Sequence, residues 1–311
     1  MIMKSKRGRP CYSILCCYAV ALLVGTTTAK ASHTPGQRLI LDCDTANEID
    51  DLYAIVRMMK QDAFDVVGLT SSQWFHYLGD PKSVEASQKD NEDLMRVLGR
   101  SDVPMPQGSP EPLGKPWGGD DAKDSVAAQF IIAQARATPA DEHLIVVCTG
   151  ASTNLASAIK IAPEIAAKIK AYILGFQYDA STGVWNKSEF NIRRDLNAAD
   201  FLLNQRDLEL HIMPTSVSKQ LTFDRDDTFT RQQSMGELGR YLTQKWKTKF
   251  PNSTTWTMWD LALVESLLHP EMASEKQVNT PPENNQRKVW MYDSIDAAAM
   301  KQDYWQTATT K

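Results

Sequence analysis

A short apolar run, Leu39-Ile40-Leu41, ends in two acids, Asp42 and Asp44, and two more, Asp50 and Asp51, follow within a single loop. Beyond them Ile49, Leu52, Ile55, Val56 and Met59 recur at helical spacing. The pattern predicts a buried strand, an acidic loop and a helix start. Four carboxylates gathered at the end of a first strand raise one another's pKa unless a cation neutralises them. Hard oxygen ligands in that number suit Ca²⁺ or Mg²⁺. In open α/β sheets ligands bind just beyond the carboxyl ends of strands, which is where this loop falls. The plainer alternative is a loop of solvated acids in which Asp50 caps a helix.

The rest of the chain repeats the alternation. Helix 51–61 leads to strand 65–71, a helix near 84–98, a loop from Gly108 to Asp121 rich in Gly and Pro, and helix 123–137. The strongest strand, Leu144 to Cys148, runs into Thr149-Gly150 and another helix; strand 171–175 gives way to a long loop, 176–190. A helix from about 197, strand 208–213 and helices near 229–247 and 258–268 follow. Strand alternating with helix predicts an α/β fold, a mostly parallel central sheet flanked by helices. Residues 32–311 read as one α/β domain, with a core over about 38–270 and a polar C-terminal extension, 271–311, in which Val289 to Tyr292 suggests a late strand.

Residues 1–31 read differently. A basic start (Lys4, Lys6, Arg7, Arg9), an apolar stretch from Cys11 to Gly25 and the small-x-small run Ala29-Lys30-Ala31 form a secretory signal peptide, cleaved before Ser32. The apolar run falls short of the roughly 20 residues of a membrane span, so no anchor is expected after cleavage, and the destination is secreted or periplasmic. Removing five basic residues and no acid moves the net charge from −4 to −9, which argues against a nucleic-acid partner. Only Cys43 and Cys148 remain, at the ends of neighbouring predicted strands, as buried small apolar residues rather than a disulfide framework.

Four separated segments beyond the acidic loop complete a resemblance to the nucleoside hydrolases. Asp42-Cys43-Asp44 and Asp50-Asp51 match the two ends of that family's acidic loop. Gly99 to Pro104 with Gly108, Pro112 and Leu113 is similar to its second turn and loop, and Cys148-Thr149-Gly150 with Thr153-Asn154 to its central strand-to-helix segment. Glu189-Phe190-Asn191-Ile192 with Asp195 resembles the segment that holds ribose, and Trp259-Asp260 falls where the family has an aromatic or His residue before a metal-binding Asp. The resemblance implies Ca²⁺-dependent hydrolysis of the N-ribosidic bond of a small-molecule nucleoside, through an oxocarbenium-like sugar. It implies Asp44, Asp51, the backbone carbonyl of Thr149 and Asp260 as calcium ligands, with Asp44 also taking the proton from the attacking water. It further implies that Asp50, Glu189 and Asn191 grip the ribose hydroxyls, that Asp42 stands behind the metal ligands, and that the chain forms dimers or tetramers.

The departures bear on the substrate. Where the family has Pro-Gly between its acids, this chain has Thr45-Ala46-Asn47-Glu48, two residues longer, so Asn47 or Glu48 is expected in the pocket. Asn186 is the stand-in for a residue that meets the ribose 5′-hydroxyl. Trp259 occupies the place of a proton-donating His and can stack on a heterocycle, which suggests a purine bias with Trp117, Trp74 or Trp185 as the opposite wall. Two rivals stay open at this point. Asp42-Cys43-Asp44-Thr45 also fits the nucleophile loop of haloacid-dehalogenase-like phosphatases, with Asp42 phosphorylated and Mg²⁺ as cofactor. A secreted ribose- or nucleoside-binding homologue without turnover is the other.

Overall fold

The computed structural model describes residues 36–75, 81–115 and 118–310. The signal peptide read at 1–31 and Trp117 lie outside the described residues. Seven strands form the main sheet: β1 (Gln37–Cys43), β2 (Phe64–Ser71), β3 (Leu144–Cys148), β4 (Ile169–Leu174), β5 (Glu209–Met213), β6 (Ala273–Asn279) and β7 (Lys288–Ile295). Their order across the sheet is β6-β7-β5-β4-β3-β1-β2, and every pairing is parallel except that of the edge strand β6 with β7. The expected parallel, helix-covered sheet is therefore the observed one.

The period of two along each strand sends alternate residues to opposite faces. Leu39 and Leu41 pack with helices α1 (Asp50–Met59), α2 (Ser83–Leu98), α9 (Gly236–Lys249), α10 (Trp259–Leu268) and α11 (Ala297–Ala308). Ile40, Val146 and Ile173 face the other layer, α3 (Val126–Ala137), α4 (Thr153–Ile161) and α6 (Leu196–Asn204). Cys43 and Cys148 are buried free thiols in these two layers. The three shorter helices are α5 (Phe190–Arg194), α7 (Thr215–Ser218) and α8 (Arg225–Gln232).

Two expectations change. The apolar period over 229–247 belongs to two helices, because Gly236, at φ 62°, turns the chain between α8 and α9. Gly239 then packs against the carbonyl of Gln232 so closely that a β-carbon would lie 1.8 Å from it. The supposed extension after 270 is part of the core. It supplies β6, β7 and α11, whose Met300, Tyr304 and Trp305 are buried beneath Tyr53 and Phe223. Its polarity in sequence reflects an edge strand with one solvated face, where antiparallel strands alternate rather than run apolar.

Candidate active site

The acidic loop joins β1 to α1 at the carboxyl edge of the sheet. Asp42 is still within β1 and shares the face of Ile40, so it points beneath α4. There it accepts hydrogen bonds from Thr70 Oγ1 (2.7 Å) and Asn154 Nδ2 (2.9 Å). Burial pushes its carboxyl up to about 6 despite those two donors. It does not line the cavity, which removes the phosphatase reading that needed Asp42 as an accessible nucleophile. Asn154 is a buried cross-link that also bonds the Ser71 carbonyl and the Ser109 amide.

Asp44, Asp50, Asp51 and Asp260 converge. One oxygen each of Asp50, Asp51 and Asp260 lies within 4.8 Å of the others, and Asp44 stands beside them within hydrogen-bonding reach of Asp51. All four are almost completely buried. Asp50 does not cap α1: the cap position is Ile49, and Asp50 Oδ2 accepts the backbone N–H of Asp260 at 3.2 Å. Nor does Asp260 cap α10, whose cap position is Met258. Thr149 Oγ1 donates to Asp51 Oδ1 at 2.8 Å, and the Thr149 carbonyl accepts from Asn191 Nδ2 at 2.5 Å. Gly150 is required here, since a β-carbon would come within 2.8 Å of Asp44 Cβ.

Burial first, then the neighbouring carboxylates, drives Asp44, Asp50 and Asp260 well above the ordinary range, and Asp51 is raised by burial. Asp44 Oδ2 and Asp260 Oδ1 have no hydrogen-bond partner. Buried carboxylate oxygens left without donors are costly and point to a bound cation. An all-oxygen donor set of this kind fits a hard divalent ion. The converging trio differs from the set the resemblance implies by including Asp50.

A cavity of about 420 Å³ opens over these acids. Asn47, Glu48, Asp50, Thr149, Glu189, Asn191, Trp259 and Asp260 all line it, so the structure brings together most of the residues singled out in the sequence. Glu189 does two jobs: its carboxylate caps α5, accepting the Ile192 N–H at 3.2 Å, while it faces the cavity. The N–H of Phe176 also points at Glu189, and Phe176 adopts a left-handed backbone, φ 63°, uncommon for an aromatic residue and costing on the order of 1 kcal/mol.

Asn186 is not brought in. It sits exposed on a surface hairpin formed by 177–179 and 184–186, bonded to Gln177 and to the Ser188 amide. Trp185 packs on Phe176 and Tyr178, and Trp74 donates to Ser87; neither lines the cavity. Trp259 therefore lacks the opposing indole that the purine argument required among the described residues; Phe190 is the other aromatic there.

Several site residues were not anticipated. Lys249, at the end of α9, donates to the Ala46 carbonyl and sits among the carboxylates of Asp90, Asp51, Asp44 and Glu48. With Thr45 Oγ1 bonded to Asn91 (2.5 Å) and the Ala46 amide near Ser87 Oγ (3.4 Å), it braces the lengthened loop. Nothing local in the sequence marks it. Gln177 and Thr215, by contrast, lie just past the carboxyl ends of β4 and β5, where the rule applied to β1 would have found them.

The family model described as inosine-uridine preferring nucleoside hydrolase matches residues 39–303. The chain is 26% identical over 235 residues to "Probable uridine nucleosidase 2" of Arabidopsis thaliana, covering 67% of this chain and 68% of that protein. It is 25% identical over 277 residues to "Pyrimidine-specific ribonucleoside hydrolase RihB" of Escherichia coli O157:H7, covering 79% and 85%. Among solved structures, the plant nucleoside hydrolase PpNRh1 superposes with a TM-score of 0.69 at 18% identity, over 89% of this chain and 100% of that one. A purine-preferring ribonucleoside hydrolase from Gardnerella vaginalis gives 0.65 at 19%, over 88% and 98%.

Proposed function

The chain belongs to the inosine-uridine preferring nucleoside hydrolases, which makes it an N-glycosyl hydrolase acting on nucleosides, and from that premise we propose that it is a calcium-dependent enzyme whose best neutral substrates are pyrimidine ribonucleosides. The observation that carries the reading is the convergence of Asp44, Asp50, Asp51 and Asp260 with Glu189 and Asn191 in one cavity. The sequence relatives reported above bear uridine or pyrimidine names, which supports a pyrimidine as the base.

In this reading Asp50, Asp51 and Asp260 would hold a calcium ion, with Asp44 and the Thr149 carbonyl beside them. Such an ion would supply positive charge that neutralises the acids and lowers the pKa of a nearby water. Asp44, whose Oδ2 has no other partner, takes the proton of the attacking water. Glu189 and Asn191 orient the ribose hydroxyls; Glu189 is fixed by its cap bonds and Asn191 by its bond to the Thr149 carbonyl. The C1′–N bond breaks with its electron pair leaving on the base, and a C1′–O bond forms from the water. The basic, apolar and small-residue run at the amino end supports an exported enzyme that scavenges external nucleosides.

Ribose release from uridine, cytidine, inosine, adenosine and guanosine, with calcium or with a chelator, tests the reading. Release that is lost with chelator and restored by calcium, fastest with a pyrimidine, is expected. Release indifferent to the chelator, or none from any nucleoside, would sink it.

A further inference from the structure

The C-terminal hairpin joins the parallel strands along a short seam. β5 pairs with β7 at two positions, His211 with Trp290 and Ile212 with Met291, against five pairs between β4 and β5 and seven between β6 and β7. His211 stands on that seam, with Tyr172 of β4 in register on its other side. Residues in register on neighbouring strands share a face, so the three rings form a stack. The imidazole lies 4.4 Å from the Tyr172 ring at 17° and 5.9 Å from the Trp290 indole at 8°.

Each ring nitrogen of His211 meets a carboxylate. Nδ1 is 2.7 Å from Glu275 Oε2, on β6, and Nε2 is 3.1 Å from Glu209 Oε1, on its own strand. The His211 side chain is 4% exposed and that of Glu275 11%. A neutral imidazole has one N–H, so it satisfies one carboxylate and turns a lone pair towards the other. The imidazolium donates to both. Burial opposes that charge, but the hydrogen bonds and negative charge of Glu209 and Glu275 outweigh it, and the His211 pKa is raised above its ordinary value. Lys170 of β4 shares Glu209 Oε1, at 3.2 Å. Tyr172 of β4 and Tyr292 of β7 are kept protonated, first by burial and then by the charge of Glu275.

We propose that His211 is a pH-sensitive fastener, cationic at neutral pH, that ties the C-terminal hairpin to the parallel sheet and slackens when its proton leaves. The bond from Nδ1 reaches past β7 to β6 and so adds to the two-pair ladder. Once the ring is neutral, one carboxylate faces a lone pair and is repelled. Arg287 still donates to the carbonyls of Leu202, Leu203 and Leu208, and a guanidinium keeps its charge, so β6 and β7 loosen without being released. A folded value above the ordinary one places the full stabilisation below about pH 6.5, with loss as the pH rises through the folded value.

The test uses calcium-loaded protein with ¹⁵N-labelled histidine rings, the His211 signals being those lost in His211→Gln. Both ring nitrogens should carry protons at about pH 7, and the proton should leave above the ordinary value of about 6.5. Amide exchange reads the mechanical effect. Protection of residues 288–295, corrected for the intrinsic rate, should fall about tenfold between about pH 6 and 9, while that of 144–148 holds. In His211→Gln the fall should vanish. Should that variant not fold, Glu275→Gln, which keeps an acceptor oxygen and removes its charge, should mark the His211 signals by moving their titration to lower pH. A ring nitrogen without a proton at neutral pH overturns the proposal, as does a titration that Glu275→Gln leaves in place. Protection of 288–295 that ignores pH, or that falls equally in His211→Gln, overturns it too.

Discussion

Helices α1 and α10 run beside two clusters of titratable side chains, one at each end, and only one of them has an arginine at its centre. At their amino ends Asp50, Asp51 and Asp260 face one another with Asp44 alongside. Farther along, Glu265, His269 and Asp303 come equally close. There Arg57 fills the space, with Nε 3.1 Å from Glu265 Oε1 and Nη2 2.6 Å from Asp303 Oδ2. Carboxylates near one another do not by themselves make a metal site. The second cluster is an internal ion-pair network, tying α1, α10 and α11 together. The second also keeps one oxygen without a hydrogen-bond partner, Glu265 Oε2, but its carboxylate is paired with Arg57; the first has only Lys249 at its margin and two such oxygens, Asp44 Oδ2 and Asp260 Oδ1, which under the proposed reading leaves it to an external ion.

The sharpest way to break this contrast is Asp44→Asn. Loss of the proton acceptor is expected to lower kcat by roughly 10³-fold with little change in folding, since general-base groups contribute about 10²–10⁴. A variant retaining more than a tenth of the rate would remove Asp44 from the chemistry.

Arg57→Ala attacks the other cluster. Stripping the guanidinium from buried Glu265 should cost about 3–5 kcal/mol of stability, read by denaturant unfolding. Glu265, His269 and Asp303 should then take up added zinc, a set of ligands that metal accepts. Failure to bind zinc would mean that the two clusters differ in more than their internal cation.

Calcium removal sharpens the comparison through pH. Asp42 is raised to about 6 and Glu48 to about 7, in both cases chiefly by burial. Between an unfolded value near 4 and those folded values, the folded chain holds protons the unfolded chain has released. The chelated protein should therefore lose stability as pH rises from about 4 to 7, by about 3 kcal/mol from Asp42 alone. Saturating calcium should flatten that slope. Thermal unfolding across pH with and without chelator measures it, and a chelated protein that grows more stable over that window would refute the assignment.

The smallest effect is expected from Lys249→Met, which frees the Ala46 carbonyl and slackens the loop that presents Asn47 and Glu48. KM for a nucleoside should rise about tenfold while kcat holds, and Lys249→Arg should recover most of it. An equal fall in kcat would place Lys249 with the reacting groups instead.

Much of this was legible in one dimension. The Leu39 to Asp51 stretch announces strand, acid loop and helix because hydrophobic period and charge are local properties, and the order of strands and helices follows in the same way. Even the retreat of Asp42 was available, since a residue two along from Ile40 must share its face. The end of the core was not legible: β6 and β7 look polar because an edge strand keeps one face in water. The break at Gly236 was hidden too, because helical period cannot distinguish one helix from two in sequence.

What the sequence by itself determined is the parallel α/β framework and the identity of the acids, since both depend on residue type and spacing. What only the tertiary structure decided is which charges meet. Arg57 reaches Glu265 and Asp303, and Lys249 reaches Ala46, across separations in the chain that no local pattern encodes. Electrostatic energy depends on distance and burial in three dimensions. That is why the same carboxylate reads as a metal ligand at one end of two helices and as an ion-pair partner at the other.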